Sequence, residues 1–341
     1  MNLLVTANHA PFIEGGAEAH LAGLVAALRA HGHRVETLRL PFTFEPPAAI
    51  ERLMAFAAGL DLTAPNGQRI HRLISLQFPG YGITHPHHIV WLMHQHRAVY
   101  ELYPPNPSPE LERLRTAIHA YDTTALARVH ARFANSRRVA QRLRHYNGLD
   151  AEPLYHPPPH AHAFYTAPAE SYVYAPSRLE RLKRQDLLIE ALRHVRAPVA
   201  LLLSGDGGQA PYYQSLIERH GLQHRVRLLG RVDERLKRTL YAHALAVAFV
   251  PFDEDLGYVT LEAMLAAKPL LTCTDSGGPL EFVLPGETGF VCPPEPQLLA
   301  ERIDWLYAHR REAAAMGRAA RAHWESLGIT WTRVIDRLLS A

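Results

Sequence analysis

Residues 245–264 read LAVAFVPFDEDLGYVTLEAM. The first eight are an uninterrupted apolar run rich in valine and phenylalanine, the composition of a strand buried on both faces. Glu254 and Gly257 follow, and then YVTLEAM opens a helix carrying a second acid, Glu262. A buried strand, a glycine turn and a helix in that order are part of a βαβ unit. The glycine permits a tight turn whose amides, at Gly257, Tyr258 and Val259, can point at a phosphate or sugar oxygen. Glu254 stands ahead of that turn, where a carboxylate can accept from ligand hydroxyls. Glu262 lies in the first turns of the helix, where its charge suits the dipole and where it can accept from a vicinal diol. A plain structural reading is also open: an exposed loop acid and a dipole-complementing one.

The alternation extends outward on both sides. Upstream run strand SYVYAPS (171–177), helix RQDLLIEALRHV (184–195), strand VALLLSG (199–205), helix YYQSLIERHG (212–221), strand RVRLLG (225–230) and helix DERLKRTLYAHA (233–244). Downstream come strand PLLTC (269–273) and the loop TDSGGP. Strands alternating with helices predict a parallel sheet covered on both faces. The first half repeats the theme. Strand NLLVTA (2–7) leads through a glycine-bearing loop to a helix with Leu21, Leu24, Val25 and Leu28 at helical spacing, then to strand HRVETLRL. Further strands are expected in 70–77, 87–94 and 132–136. One or two helices are expected over 109–129, and another over 137–146. Residues 152–170 are proline-rich and aperiodic, as a domain boundary would be, with the linker near 157–170. The expected organisation is an acceptor-side domain over 1–160, a donor domain over 170–320, and a C-terminal helix over 321–341 packing back on the first domain.

Composition bounds the function. The 341 residues, 48% of them hydrophobic, suffice for two packed cores. A net charge of +3 suits an anionic small ligand or membrane surface and falls short of a nucleic-acid footprint. Two cysteines, Cys273 and Cys292, make no disulfide framework, and the N-terminus reads as a strand, so a reduced, cytoplasmic protein is expected. No stretch is long enough to span a bilayer, which leaves peripheral contact at the inner membrane face as the membrane option. The 22 histidines cluster locally (His31/His33, His85/His87/His88, His94/His96, His156/His160/His162), but none follows a zinc-ligand pattern, so no metal is expected.

In open α/β sheets ligands bind beyond the carboxyl ends of the strands, where the charged and glycine-bearing loops fall. Gly15 and Gly16 open the first helix, a weak anion-site signal that is often only structural. Arg178 and Lys183, just past a strand, would suit a diphosphate, although RLERLKR also reads as a solvated charge run.

Taken in order, these residues resemble the retaining nucleotide-sugar glycosyltransferases of family four, which have the GT-B fold of two doubly wound Rossmann-like domains facing a central cleft. The carriers are Glu254, Gly257 and LEAM, with SRLERLKRQDLLIEAL, LLLSGDG, VRLLGRV and DSGGPLEFVLPGETGFVCPP in family order. GGAE, WLMHQHR, ANSRRVAQRL and LYHPPP extend the likeness through the first half. The resemblance implies that Glu254 touches the donor sugar's hydroxyls and Glu262 the ribose. It implies that Arg178 and Lys183 neutralise the diphosphate leaving group without a metal or other cofactor. Gly15 and Gly16 would reach the phosphates. Backbone around Gly230, Arg231 and Val232 would meet the base. His94 matches the acceptor-side histidine, with His96 the runner-up. The sequence departs from the family at His94-Gln95, where His-Asp is usual, and at EDLGY, where a phenylalanine usually stands between glycines. The implied partners are a UDP- or GDP-linked sugar and a glycan, lipid-linked or small-molecule acceptor, in polysaccharide or glycoconjugate biosynthesis. A nucleotide-sugar epimerase lacks the spaced glutamate pair, and an inactive sugar-nucleotide binder fits poorly with four intact donor residues. A dinucleotide oxidoreductase would need a GxGxxG loop that is absent here.

Overall fold

The computed structural model describes residues 1–12 and 15–341. The chain forms two compact units: Met1–His156 together with Thr330–Ala341, and Pro157–Ile329.

The first unit contains β1 (Asn2–His9), α1 (Gly16–Ala30), β2 (Arg34–Pro41), α2 (Pro47–Ala58), β3 (Arg72–Ser75), β4 (His88–Leu92), α3 (Pro109–Arg128), β5 (Ala131–Ala134), α4 (Arg137–Asn147) and β6 (Glu152–Pro153). Its six strands are parallel in the order β2-β1-β3-β4-β5-β6. Both faces of β1 are covered. Leu3, Val5 and Ala7 pack in a core with Leu24 and Leu28 of α1, while Leu4 packs with Ala57 of α2 on the other side. Each fully buried leucine of this kind contributes about 1.5–3 kcal/mol over its exposed state. The helix α2 carries no expectation from the sequence; it packs through Ile50, Met54 and Ala57. The span 109–129 forms the single helix α3, started by Ser108, whose side chain accepts from the Leu111 amide at 3.2 Å, and by Pro109 in the first turn.

The second unit contains β7 (Tyr172–Pro176), α5 (Gln185–Leu192), β8 (Ala200–Ser204), α6 (Ala210–Arg219), β9 (Val226–Leu228), α7 (Glu234–His243), β10 (Ala246–Ala248), α8 (Tyr258–Leu265), β11 (Leu270–Cys273), β12 (Gly289–Cys292), α9 (Pro296–Ala308) and α10 (Arg310–Leu327). These strands are also all parallel, in the order β12-β11-β10-β7-β8-β9. Counting from β7, that is the Rossmann order 3-2-1-4-5-6 read from the other edge. The chain reverses direction across the sheet between β7 and β10, strands about 70 residues apart in sequence.

The span 321–341, expected as one helix, holds the end of α10 and a separate final helix. The backbone turns left-handed at Gly328 (φ 59°), α10 ends there, and α11 (Trp331–Ser340) begins with Thr330 capping the Arg333 amide. The final helix belongs to the first unit: Val334, Ile335 and Leu338 enter its core, and Arg337 is bidentate to Glu152 at 2.8 and 2.6 Å. Among the described residues no helix is long and apolar enough to cross a membrane. Both cysteines are free and buried.

Candidate functional site

The switch point between β7 and β10 sets the geometry of the second unit. β7 ends at Pro176 and feeds the turn carrying Arg178 and Lys183; β10 ends at Ala248 and feeds the turn carrying Glu254 and Gly257. Because the strands are paired and parallel, both turns emerge from the same end of the sheet. The Lys183 Nζ lies 2.5 Å from Glu254 Oε2, an ion pair only 15% and 18% exposed on its two sides. The same ammonium is 5.6 Å from the centre of the Phe249 ring. Two residues 71 apart in sequence thus meet at one place.

Arg178 is exposed, and its guanidinium makes no hydrogen bond or ion pair with any described residue. Its backbone is nonetheless held. Gln185 donates to the Arg178 carbonyl at 3.0 Å and to Ser177 Oγ at 3.1 Å, and Tyr213 donates to the other end of that side-chain amide at 3.0 Å. A cation on a fixed stem with an unengaged head is suited to an incoming anion.

The Glu254 turn is anchored from the neighbouring strand. The Glu254 amide donates to the Ser276 carbonyl at 2.9 Å, and the Glu254 carbonyl accepts from the Gly278 amide at 2.8 Å. The loop TDSGGP therefore pairs with the acidic turn as a short parallel bridge. Gly257 has φ 83° and ψ 80°, in the region open to glycine, and stands immediately before α8. Tyr258 and Val259 begin that helix, at the end where the helix dipole is positive.

Glu262 lies in α8 with 5% of its surface exposed. Its Oε1 accepts from Lys237 at 3.0 Å and its Oε2 from Tyr241 at 2.7 Å, both from α7. It is therefore a buried, paired carboxylate, more deeply set than a simple dipole-complementing surface acid. Burial opposes the charged form of Lys237, but the Glu262 carboxylate beside it outweighs that and raises the Lys237 pKa. Gly230, Arg231 and Val232 follow β9 and lead into α7. The Gly230 carbonyl accepts from the Gly205 amide at 2.8 Å, and Arg231 lies 3.7 Å from Asp206.

In the first unit, Gly15 precedes α1 in an extended conformation and Gly16 is the first helical residue, at the carboxyl side of β1. Glu14, just ahead of the GGAE motif, lies outside the described residues. His94 follows β4 by two residues and is half-buried, with Nδ1 2.7 Å from the Gln95 carbonyl oxygen. His96 is buried against Phe78 and Phe42, at 5.5 and 6.0 Å between ring centres. That burial, with His94 beside it, lowers its pKa to about 4, so it is neutral at pH 7. His88 of another histidine cluster is a core residue bonded to Ser75 at 2.7 Å.

Sequence reading did not single out Gln185, Lys237, Tyr241 or Arg184, all of which hold candidate residues in place. Gln185, Lys237 and Tyr241 are ordinary helix residues in sequence. Arg184 was hidden in the basic run RLERLKR.

Two six-stranded parallel sheets of doubly wound type define the chain as a GT-B protein. Residues 165–323, a span that lies within the second unit, match the family of glycosyl transferases group 1. Among relatives, the human alpha-1,3/1,6-mannosyltransferase ALG2 is 31% identical over 162 residues, 43% of this chain and 39% of that protein. The D-rhamnosyltransferase WbpZ of Pseudomonas aeruginosa is 31% identical over 144 residues, 41% of this chain and 37% of its own length. These matches span about two fifths of each relative. Over the whole chain the fold is similar to Anabaena Alr3699/HepE in complex with UDP and glucose, with TM-score 0.76, 20% identity and full coverage of both chains. It is also similar to the sucrose-phosphate synthase of Thermosynechococcus elongatus, with TM-score 0.78, 17% identity, and coverage of 99% and 97% of the two chains.

Proposed function

We propose that the protein is a retaining glycosyltransferase that moves a sugar from a UDP- or GDP-linked donor to a glycan, lipid-linked or small-molecule acceptor. The observation that carries this reading is the meeting of Lys183 with Glu254 at the β7/β10 switch point, with the unengaged Arg178 on the same turn. The relatives' names, a mannosyltransferase and a rhamnosyltransferase, support transfer of a hexose or deoxyhexose. The complexes of HepE with UDP and UDP-glucose support a nucleoside diphosphate sugar as donor.

In this reading the C1–O bond to the phosphate breaks while charge accumulates on the departing diphosphate. Arg178 and Lys183 stabilise that charge, and the amides of Gly257, Tyr258 and Val259 add to it. Glu254 orients the sugar by accepting from its hydroxyls, and Glu262 does the same for the ribose. Backbone at Gly230, Arg231 and Val232 meets the base. In the first unit, Gly15 and Gly16 offer a helix start suited to an anion, and His94 is the acceptor-side candidate. The acceptor oxygen bonds to C1 on the face the phosphate leaves, and its proton passes to a phosphate oxygen. The screen that tests the donor is calorimetry against a panel of nucleotide sugars, and binding to none of them would overturn the reading.

The product should keep the donor's anomeric configuration, read by NMR of its anomeric proton. Inversion would require a general base opposite the leaving phosphate, and in this reading neither His94 nor Glu254 takes that part. An inverted product would contradict the mechanism. A glycosyl adduct trapped on Glu254 would keep retention but replace same-face attack by double displacement.

Activity should also persist in EDTA, because two side-chain cations and a helix start already supply positive potential to the diphosphate. Loss on chelation with recovery in magnesium or manganese would contradict this and would direct attention to Asp253 and Asp255, which flank Glu254.

A further inference from the structure

Arg184 has φ 52°, a left-handed backbone conformation that an arginine adopts only when something holds it there. It is the residue next to Lys183, at the start of α5. Its guanidinium spans the ends of three strands. Nε donates to the Val250 carbonyl at 2.8 Å and Nη2 to the Pro251 carbonyl at 2.9 Å, both just after β10. Nη1 and Nη2 donate to the two oxygens of Asp275, at 2.8 and 2.7 Å, just after β11. One side chain therefore joins the β7 turn, which carries Lys183, to the β10 turn, which carries Glu254, and to the β11 loop that pairs with Glu254. The Asp275 carbonyl accepts from the Asp253 amide at 2.9 Å, so the β10 and β11 loops are also tied directly.

We infer that Arg184 is a positioning residue that registers Lys183 against Glu254 by clamping the loops after β7, β10 and β11 together. Only a planar fork of five N–H donors can serve a bidentate carboxylate and two carbonyls at once. A lysine keeps the charge but offers a single nitrogen. Glycine would suit the left-handed backbone better but makes none of the four bonds. The inference rests on the proposed donor site for its consequence, nucleotide binding, while the clamp itself is a statement about the loops.

The test uses the full chain with R184K and R184G. Thermal melts check that each variant folds. Amide hydrogen exchange then follows residues 253–257 and 274–279, and calorimetry follows UDP and GDP. Both variants should exchange about tenfold faster in those two segments than the parent, with β7 and β8 unchanged. Affinity for the nucleoside diphosphate that the parent binds should fall about tenfold in both. Failure of lysine to rescue identifies the fork, not the charge, as the cause. Parental exchange in both segments in either variant would overturn the clamp. Faster exchange with unchanged nucleotide affinity would overturn its role in the site. If the parent binds neither UDP nor GDP while the exchange pattern shifts as expected, the clamp stands and the donor reading falls.

Discussion

Replacing Lys183 by alanine should lower turnover by about 10²–10³-fold in a protein that still folds, the loss typical for removal of one preorganised charge stabiliser. The ammonium is fixed 2.5 Å from Glu254 and is mostly shielded from water, so its field acts at low effective dielectric. In the proposed reading, the leaving diphosphate would compete for this ammonium and the sugar hydroxyls would take up the carboxylate. On that reading the Lys183–Glu254 pair would open when donor binds. Glu254→Ala should be comparably severe, since it removes the sugar contact and leaves Lys183 without its counter-charge. Arg178→Ala should weaken binding of the diphosphate without disturbing the fold, because its guanidinium has no partner among the described residues. Steady-state rates with the donor found by screening, alongside circular dichroism of each variant, decide the matter. Rates within about threefold of the parent in all three would remove the site.

Gly205→Ala should destabilise the second unit by at least about 3 kcal/mol, through a mechanism distinct from chemistry. Gly205 follows β8 directly with φ 131°, and a Cβ there would lie 1.9 Å from the Ser177 carbonyl oxygen. That atom belongs to the backbone of the β7 turn and cannot swing aside like a side-chain tip. Two costs add: a backbone conformation L residues avoid, and displacement of the turn that carries Arg178. For a unit of this size the expected drop in melting temperature is about 6–12 °C. Gly208→Ala is the control, since nothing lies within 4 Å of its would-be Cβ. A Gly205→Ala melt matching that of Gly208→Ala would show that the β7 turn yields freely. It would also undercut the rigid placement of Arg178 on which the donor site depends.

The local signals in this chain are strong where the period is unbroken. Apolar runs such as LAVAFVPF and VALLLSG, separated by amphipathic segments, specify buried parallel strands and covering helices from residue types alone, because burial on both faces leaves no polar position. The glycines and acids placed after those strands are legible for the same reason: the strand ends mark where loops must begin. By contrast, α2 drew no expectation because it follows the irregular stretch TFEPP, although Ile50, Met54 and Ala57 stand at helical spacing. The span 321–341 reads as one helix because amphipathic period continues across Gly328, although the backbone is left-handed there.

Residue types and their order, with the family resemblance they carry, are enough to specify the class of architecture and to nominate Arg178, Lys183, Glu254, Gly257 and Glu262 at the strand ends as candidates. Which of these touch is settled only by packing in three dimensions. Strand order is a non-local property, set by which buried faces and connections fit together, and β7 lies beside β10 although two further βα units intervene. That adjacency alone brings Lys183 to Glu254. It also turns Arg184, indistinguishable in sequence from the solvated basic residues around it, into a part-buried fork holding three loops. A charge's meaning depends on the acceptors around it, and those acceptors here come from residues 66 to 91 positions away.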